Sequence, residues 1–179
     1  RDTAPINQTR AVFSDLCSVF AQKESGLYRL NLPTGAGKTL ASLRYALTHA
    51  IQYDKRRIFY IIPLLSIIEQ NVDAIEKSIA DSDIILEHHS NVVKEEATPE
   101  ETSRQELLAE NWLSPIVITT LVQFLNTLFL GKMSSVRRFH TLCDSVIIID
   151  EIQTLPVHMI SIFNMAVNFL VKYCRATVL

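Results

Sequence analysis

Five short runs of apolar and β-branched residues, each followed by a segment of helical period, constrain this 179-residue chain more than any other feature. The runs are Leu27 to Leu32, Arg57 to Ile62, Ile84 to Leu86, Ile116 to Ile118 and Val146 to Ile149. Runs that stay apolar instead of alternating with polar residues suit strands covered on both faces. The helical segments are Gln8 to Ala21, Lys38 to Ile51, Leu64 to Ala80, Ser103 to Trp112, Leu121 to Leu130 and Pro156 to Tyr173. Stripes at helical spacing mark them, such as Val12, Phe13, Leu16, Val19 and Phe20 in the first and Met159, Phe163, Val167 and Leu170 in the last. Pro63 ends the second strand, Gly131 closes the helix from Leu121, and Pro156 stands in the first turn of the last helix. The alternation predicts an α/β fold of three layers, a mostly parallel central sheet with helices on both faces. The charged segment Lys94 to Glu101 is expected to be a mobile surface loop.

Hydrophobic residues make up 48% of the chain, against four glycines and six prolines, so a single domain over residues 1–179 can bury a real core. Seventeen basic against 19 acidic residues leave a formal charge of -2, which excludes a general basic field for nucleic acid; any such contact has to be local. Cys17, Cys143 and Cys174 are odd in number, far apart in sequence and form no C-x-x-C pair, so no disulfide framework or zinc site is expected. A reducing cytoplasm suits them. The longest apolar stretch, Ile58 to Ile68, contains Pro63 and Ser66 and falls short of the roughly 20 residues a membrane span needs. No membrane partner is expected, and no signal sequence opens the chain. The start at Arg1 without a methionine, and the end in the strand-like Arg175 to Leu179, are read as those of a piece of something longer.

The chemistry concentrates at two places. Leu32-Pro33-Thr34-Gly35-Ala36-Gly37-Lys38-Thr39 carries the Gly-x-Gly-Lys-Thr ending of the phosphate loop, with Pro33 or Thr34 where a first glycine often stands. It follows a predicted strand and opens a helix, so backbone N–H groups of Thr34 to Thr39 and the helix dipole can point at phosphate. Gly35 and Gly37 allow close approach, Lys38 reaches the β- and γ-phosphates, and the Thr39 hydroxyl ligates magnesium. Asp150 and Glu151 emerge at the carboxyl end of the run Val146 to Ile149, roughly 110 residues later, where open α/β sheets place ligands. There Asp150 is suited to hold magnesium and Glu151 to orient and deprotonate a water attacking the γ-phosphate. This reading makes the domain a P-loop nucleoside triphosphatase with ATP and magnesium as cofactors.

Asp150-Glu151-Ile152-Gln153 resembles the Asp-Glu-x-His/Asp box of superfamily 2 helicases. Its ending in Gln, together with Leu-Pro-Thr-Gly-Ala-Gly-Lys-Thr and the flanking segments, resembles the helicase region of the Cas3 family of CRISPR-associated nuclease-helicases over nearly the whole chain. The resemblance implies a RecA-like fold, and that Gln153 takes the place of the final His or Asp near the γ-phosphate. It also implies that Gln8 and Arg10, in Asn7-Gln8-Thr9-Arg10, form a glutamine motif that reads adenine, although a Gln at a helix start also suits plain surface. Ile62-Pro63-Leu64-Leu65-Ser66 and Ile118 to Gln123 resemble the motifs that grip a single-stranded backbone, with Pro63, Ser66, Thr119, Thr120 and Gln123 as candidate contacts. Each lies where a strand gives way to a helix, so these hydroxyls can meet phosphates or simply cap helices. His88 and His89 point to opposite faces of a strand, poorly placed to share a metal, and are read as structural. No histidine precedes an aspartate, so the nuclease site named for that dipeptide is not expected here.

By this resemblance the chain is the N-terminal, ATP-binding lobe of a motor that moves along single-stranded DNA in CRISPR interference, recruited by a crRNA-guided surveillance complex (Cascade). A second helicase lobe, which brings arginines to the γ-phosphate, and an HD nuclease domain are expected elsewhere in the full-length protein. The Ser-Ala-Thr motif is expected beyond Leu179, and residues 1–179 alone are expected to bind nucleotide with little turnover. Two other readings stay open. One is a different superfamily 2 motor, an RNA helicase or restriction translocase; the other is an interaction module whose partner affinity is gated by nucleotide.

Overall fold

Four of the five apolar runs become strands, and the near-continuous burial of three of them follows from their place inside a single sheet. In the computed structural model, which describes residues 5–63, 72–79, 82–88 and 107–179, the strands are β1 (Arg57–Ile62), β2 (Ile85–His88), β3 (Ile116–Thr120), β4 (Ser145–Ile149) and β5 (Thr177–Val178). They form one parallel sheet of five in the order β2-β3-β1-β4-β5. Every strand-to-strand connection is therefore a crossover, as parallel pairing requires. The helices are α1 (Pro5–Phe20), α2 (Lys38–Gln52), α3 (Leu121–Phe129), α4 (Met133–Thr141) and α5 (Ile160–Tyr173). Residues 72–76 and 107–111 are helical as well.

The pleat divides the core in two. Ile58, Tyr60 and Ile62 point to one face, where they pack with Ile118, Ile148 and the apolar sides of α1 and α2, including Cys17, Leu43 and Tyr45. Phe59 and Ile61 point to the other, against Trp112, Phe124, Phe163, Val167 and Leu170. Each such side chain contributes on the order of 2 kcal/mol through area removed from water. Helices thus cover both faces of β1, which is central in the sheet, as the continuous apolar run requires. His49, fully buried in α2, ties this face together: Nδ1 lies 2.9 Å from the Ala21 carbonyl oxygen and Nε2 2.8 Å from Thr177 Oγ1. A carbonyl only accepts, so Nδ1 carries the proton and Nε2 accepts from the threonine.

Several expectations shift. Leu27 to Leu32 is not a full strand; only Leu27 makes an isolated parallel bridge, to Val178, because β5 is two residues long and offers the following residues no ladder. The last helix begins at Ile160 rather than Pro156: the extended ψ of 135° at Pro156 breaks the path, and two short 3-10 turns, Ile152–Thr154 and Val157–Met159, precede it. Leu130, in extended conformation, is the C-cap of α3, and Gly131 takes no left-handed φ there. Helix α4 had no counterpart in the sequence pattern. Cys143 and Cys174, 31 positions apart, come together ahead of β4 and β5, where the Asp144 N–H donates to the Cys174 carbonyl at 2.9 Å and Cys143 helps burial to raise the Cys174 pKa. Most of the helix expected from Leu64, the loop Lys94 to Glu101, residues 103–106, Ser66 and His89 lie outside the described residues.

Candidate functional site

The phosphate-loop segment is shaped by two left-handed glycines, Gly35 at φ 79° and Gly37 at φ 80°. L-residues with a Cβ rarely hold this conformation, which is why glycine stands at both positions. Gly37 is the N-cap of α2, and its carbonyl accepts the Ala41 N–H at 3.0 Å, so Lys38 and Thr39 occupy the helix's first turn. The first N–H groups of a helix point outward along its axis and favour an anion there. Arg10 of α1 braces the loop: its Nε donates to the Gly35 carbonyl at 3.0 Å, and its Cγ lies 3.3 Å from where a Cβ on Gly37 would stand.

Asp150 and Glu151 leave the carboxyl tip of β4. The Asp150 N–H donates to the Ile61 carbonyl at 2.9 Å, fixing that tip against the end of β1. Glu151 adopts φ 51° and ψ 48°, left-handed for a non-glycine residue, and its carbonyl accepts both the N–H and the hydroxyl of Thr154 at 3.0 Å. The turn aims the Glu151 side chain across the cavity, where Lys38 Nζ stands 3.0 Å from Oε1 and the Gln153 amide donates to Oε2. Lys38 with Thr39 and Asp150 with Glu151 thus converge, but not at adjacent strands: β5 lies between β4 and the bridge at Leu27. An open cavity of about 710 Å³ is bounded by Lys38, Tyr60, Asp150, Glu151 and Gln153 on one side and by Tyr28 to Asn31 and Asn164 on the other.

Environment separates the two carboxyls. Burial raises the Asp150 pKa above the ordinary carboxylate range, with Lys38 opposing and Glu151 adding to the shift. The hydrogen bond from Lys38 lowers that of Glu151, assisted by Gln153. The Tyr60 phenol, 1% exposed beneath the site, is pushed up to about 12 by burial and by Asp150. Its oxygen lies 3.4 Å from Ser42 Oγ and is hydrogen bonded to the Thr39 side chain. Neither Tyr60 nor Ser42 is signalled by a motif; the sheet register alone places them. The hydroxyl of Thr39 and the carboxylate of Asp150 are hard oxygen donors of the kind magnesium takes along with water and phosphate oxygens. No group of three or more His, Cys, Asp or Glu able to hold a metal exists among the described residues.

A family model described as DEAD/DEAH box helicase matches residues 9–175, nearly the whole chain and all the elements that build this site. The chain belongs to the DEAD/DEAH box helicase family. Among curated proteins this helicase domain is similar to the CRISPR-associated nuclease/helicase Cas3 of Haloferax volcanii, 29% identical over 147 residues that cover 71% of the chain and 16% of the relative. Among solved structures it is similar to T. fusca Cas3 with ADP (TM-score 0.70, 18% identity, covering 92% of the chain and 19% of that structure). It is likewise similar to T. fusca Cas3 with ATP (TM-score 0.71, 17% identity, covering 95% and 20%). Those likenesses establish the RecA-like α/β fold of a first helicase lobe; the chain spans about a fifth or less of each relative's length.

The remaining candidates sit elsewhere on the helicase domain. Gln8 is exposed in α1, and Arg10 is engaged with the phosphate loop. Pro63 follows β1, and Thr119 and Thr120 end β3, in register with Ile61 and Ile62. Thr119 is fully buried and donates to the His88 carbonyl at 2.7 Å, while Thr120 Oγ1 accepts the Gln123 N–H at 3.2 Å as the N-cap of α3. The Gln123 side chain accepts from Arg138 at 3.4 Å. The Thr119 hydroxyl and Thr120 Oγ1 therefore have internal partners. His88 joins Arg138 and Trp112 in a packed cluster, in keeping with a structural role. No described helix is long and apolar enough to cross a membrane.

Proposed function

We propose that this domain is the ATP-binding first lobe of a Cas3-type superfamily 2 DNA helicase, which couples ATP hydrolysis to movement along single-stranded DNA in CRISPR interference. The observation that carries the reading is the approach of Lys38 Nζ to Glu151 Oε1 at 3.0 Å, which brings the phosphate loop and the acidic strand tip to one cavity. The family match and the two Cas3 likenesses support it.

In this reading the loop from Thr34 to Lys38 wraps the β- and γ-phosphates with its N–H groups, and Lys38 neutralises the charge between them. Bound magnesium supplies charge neutralisation on the triphosphate, held by Thr39 and Asp150. Glu151, ionised because Lys38 and Gln153 favour its charged form, accepts the proton of the attacking water, and Gln153 keeps its carboxylate aimed. Arg10 stiffens the loop instead of reading the base directly, and Gln8, exposed on the same helix, approaches adenine. Pro63, Ser66, Thr119, Thr120 and Gln123 mark the path of the DNA backbone, with the α3 N-terminus supplying N–H donors. A second lobe completes the ATP site with arginines, so this lobe alone binds nucleotide and turns it over slowly. The HD nuclease domain and a crRNA-guided surveillance complex are partners of the full-length protein, which works in the cytoplasm.

Two measurements test this. Titration of the domain with magnesium and a non-hydrolysable ATP analogue gives saturable binding that Lys38→Ala weakens at least ten-fold. ATPase of the full-length protein rises with single-stranded DNA; stimulation by RNA alone points to a different superfamily 2 motor, and ATP-dependent partner binding that survives Glu151→Gln points to a gated interaction module.

A further inference from the structure

A hydroxyl that ligates a cation turns a lone pair toward it, so its proton needs an acceptor on the far side. Behind Thr39 that acceptor is identifiable from the hydrogen-bond directions. Ser42 Oγ has one proton, and it goes to the Thr39 carbonyl at 3.0 Å, so in the 3.4 Å contact between Ser42 Oγ and the Tyr60 oxygen the phenol is the donor. Having donated, the Tyr60 oxygen is left to accept, and the side chain hydrogen bonded to it is that of Thr39. The directions close into a ring: Thr39 hydroxyl to Tyr60, Tyr60 to Ser42, and Ser42 to the Thr39 backbone. Such rings polarise their members in one sense.

We propose that Tyr60 is a positioning residue for the magnesium site: its buried phenol oxygen takes the Thr39 proton and so fixes the orientation of that hydroxyl. The inference rests on the reading of Lys38, Thr39, Asp150 and Glu151 as a magnesium-ATP site. The sheet makes the placement stiff. Tyr60 pairs with Ile148, two residues before Asp150, and the Asp150 N–H is bonded to Ile61, so phenol and carboxylate are held by the same two strands. Tyr60 is 1% exposed and packs among α2 and the sheet at the floor of the cavity.

The test is the affinity of a fluorescent ADP analogue measured in magnesium and again in EDTA, for the wild-type domain, Tyr60→Phe and Ser42→Ala. Phenylalanine keeps the ring and removes only the oxygen. The wild-type domain is expected to bind more tightly in magnesium. Tyr60→Phe is expected to lose roughly five-fold of that magnesium-dependent gain, the worth of one hydrogen bond, while its affinity in EDTA stays within about two-fold of wild type. Ser42→Ala, which breaks the ring at its other link and creates no large cavity, is expected to lose part of the same gain. Equal losses in both buffers would mean Tyr60 is merely structural and overturn the proposal, as would an unchanged magnesium gain in both variants. Absence of any magnesium gain in the wild-type domain overturns the ATP-site reading itself, and this inference with it.

Discussion

Lys38 Nζ and Glu151 Oε1, 113 positions apart in sequence, stand 3.0 Å from each other across the cavity at the strand tips. Each side chain is more than a third exposed, so the pair adds little to stability. In the proposed reading its significance lies in competition: the same ammonium is the one that a triphosphate requires. Nucleotide entry has to replace one carboxylate partner by phosphate oxygens, and the released Glu151 then becomes available to a water. The ion pair thus acts as an internal stand-in for the ligand.

Replacing Glu151 by Gln follows directly from this relationship. The amide keeps the shape and the contact to Gln153 but no longer holds Lys38 by charge, so the affinity of the domain for magnesium-ATP is expected to rise about two- to five-fold. Phosphate release by the full-length protein is expected to fall by roughly two orders of magnitude, since the general base is gone. Calorimetric titration and a phosphate-release assay read the two effects separately. A fall in affinity would show that Glu151 helps to hold the nucleotide rather than to exclude it.

The loop itself is vulnerable at Gly37. Alanine there has to hold φ 80° and to place its Cβ 3.3 Å from Arg10 Cγ. The left-handed conformation alone costs on the order of 1–2 kcal/mol. The variant is expected to lower the melting temperature modestly and to reduce nucleotide affinity by at least ten-fold. Adding Arg10→Ala removes the crowding but not the backbone cost, so the double variant should recover only part of the stability. Full recovery would locate the whole penalty in the Arg10 contact.

How much of this was legible in the sequence depends on the range over which each feature is determined. The strands β1, β3 and β4 were readable because burial on both faces makes their apolar runs continuous. The approach of Lys38 to Glu151 was readable because each stands in a short motif whose residue order is local. Helix α4 was not, since the residues it buries are Ser135 and Thr141 while Val136 is exposed, the reverse of an apolar stripe. The strand expected after Leu27 failed for lack of a partner rather than of propensity. Tyr60 and Ser42 were invisible because only the crossover from α2 to β1 brings two residues 18 positions apart beneath the site. The buried bond of Thr119 likewise depends on the register of β2 against β3, which pairs it with His88.

Thr120 carries two candidate roles that substitution can separate. As N-cap of α3 it accepts the Gln123 N–H at 3.2 Å, and loss of such a cap costs about 1 kcal/mol. Thr120→Val is therefore expected to lower the melting temperature by a few degrees, whereas Thr120→Ser keeps the wild-type value. Because the cap also orients the first turn of α3, the valine variant of the full-length protein should bind single-stranded DNA more weakly and the serine variant normally. Weaker DNA binding by the serine variant would assign the threonine methyl, not the cap, to the interface.

His49 gives the domain an acid limit. Burial depresses its pKa below the ordinary imidazole value near 6.5, although the bond to Ala21 pulls the other way. Above that value both folded and unfolded chains carry a neutral ring, and the contacts to Ala21 and Thr177 are fully present. As pH drops below it the unfolded chain takes up a proton that the folded chain refuses, so stability declines until the folded value is reached. The slope due to one such group is at most about 1.4 kcal/mol per pH unit. Melting temperatures from pH 7.5 to 5.5 should fall for the wild-type domain and fall less steeply for His49→Gln, which starts lower because it loses one of the two bonds. Parallel curves for the two proteins would mean that the ring takes up its proton equally in the folded and unfolded chains.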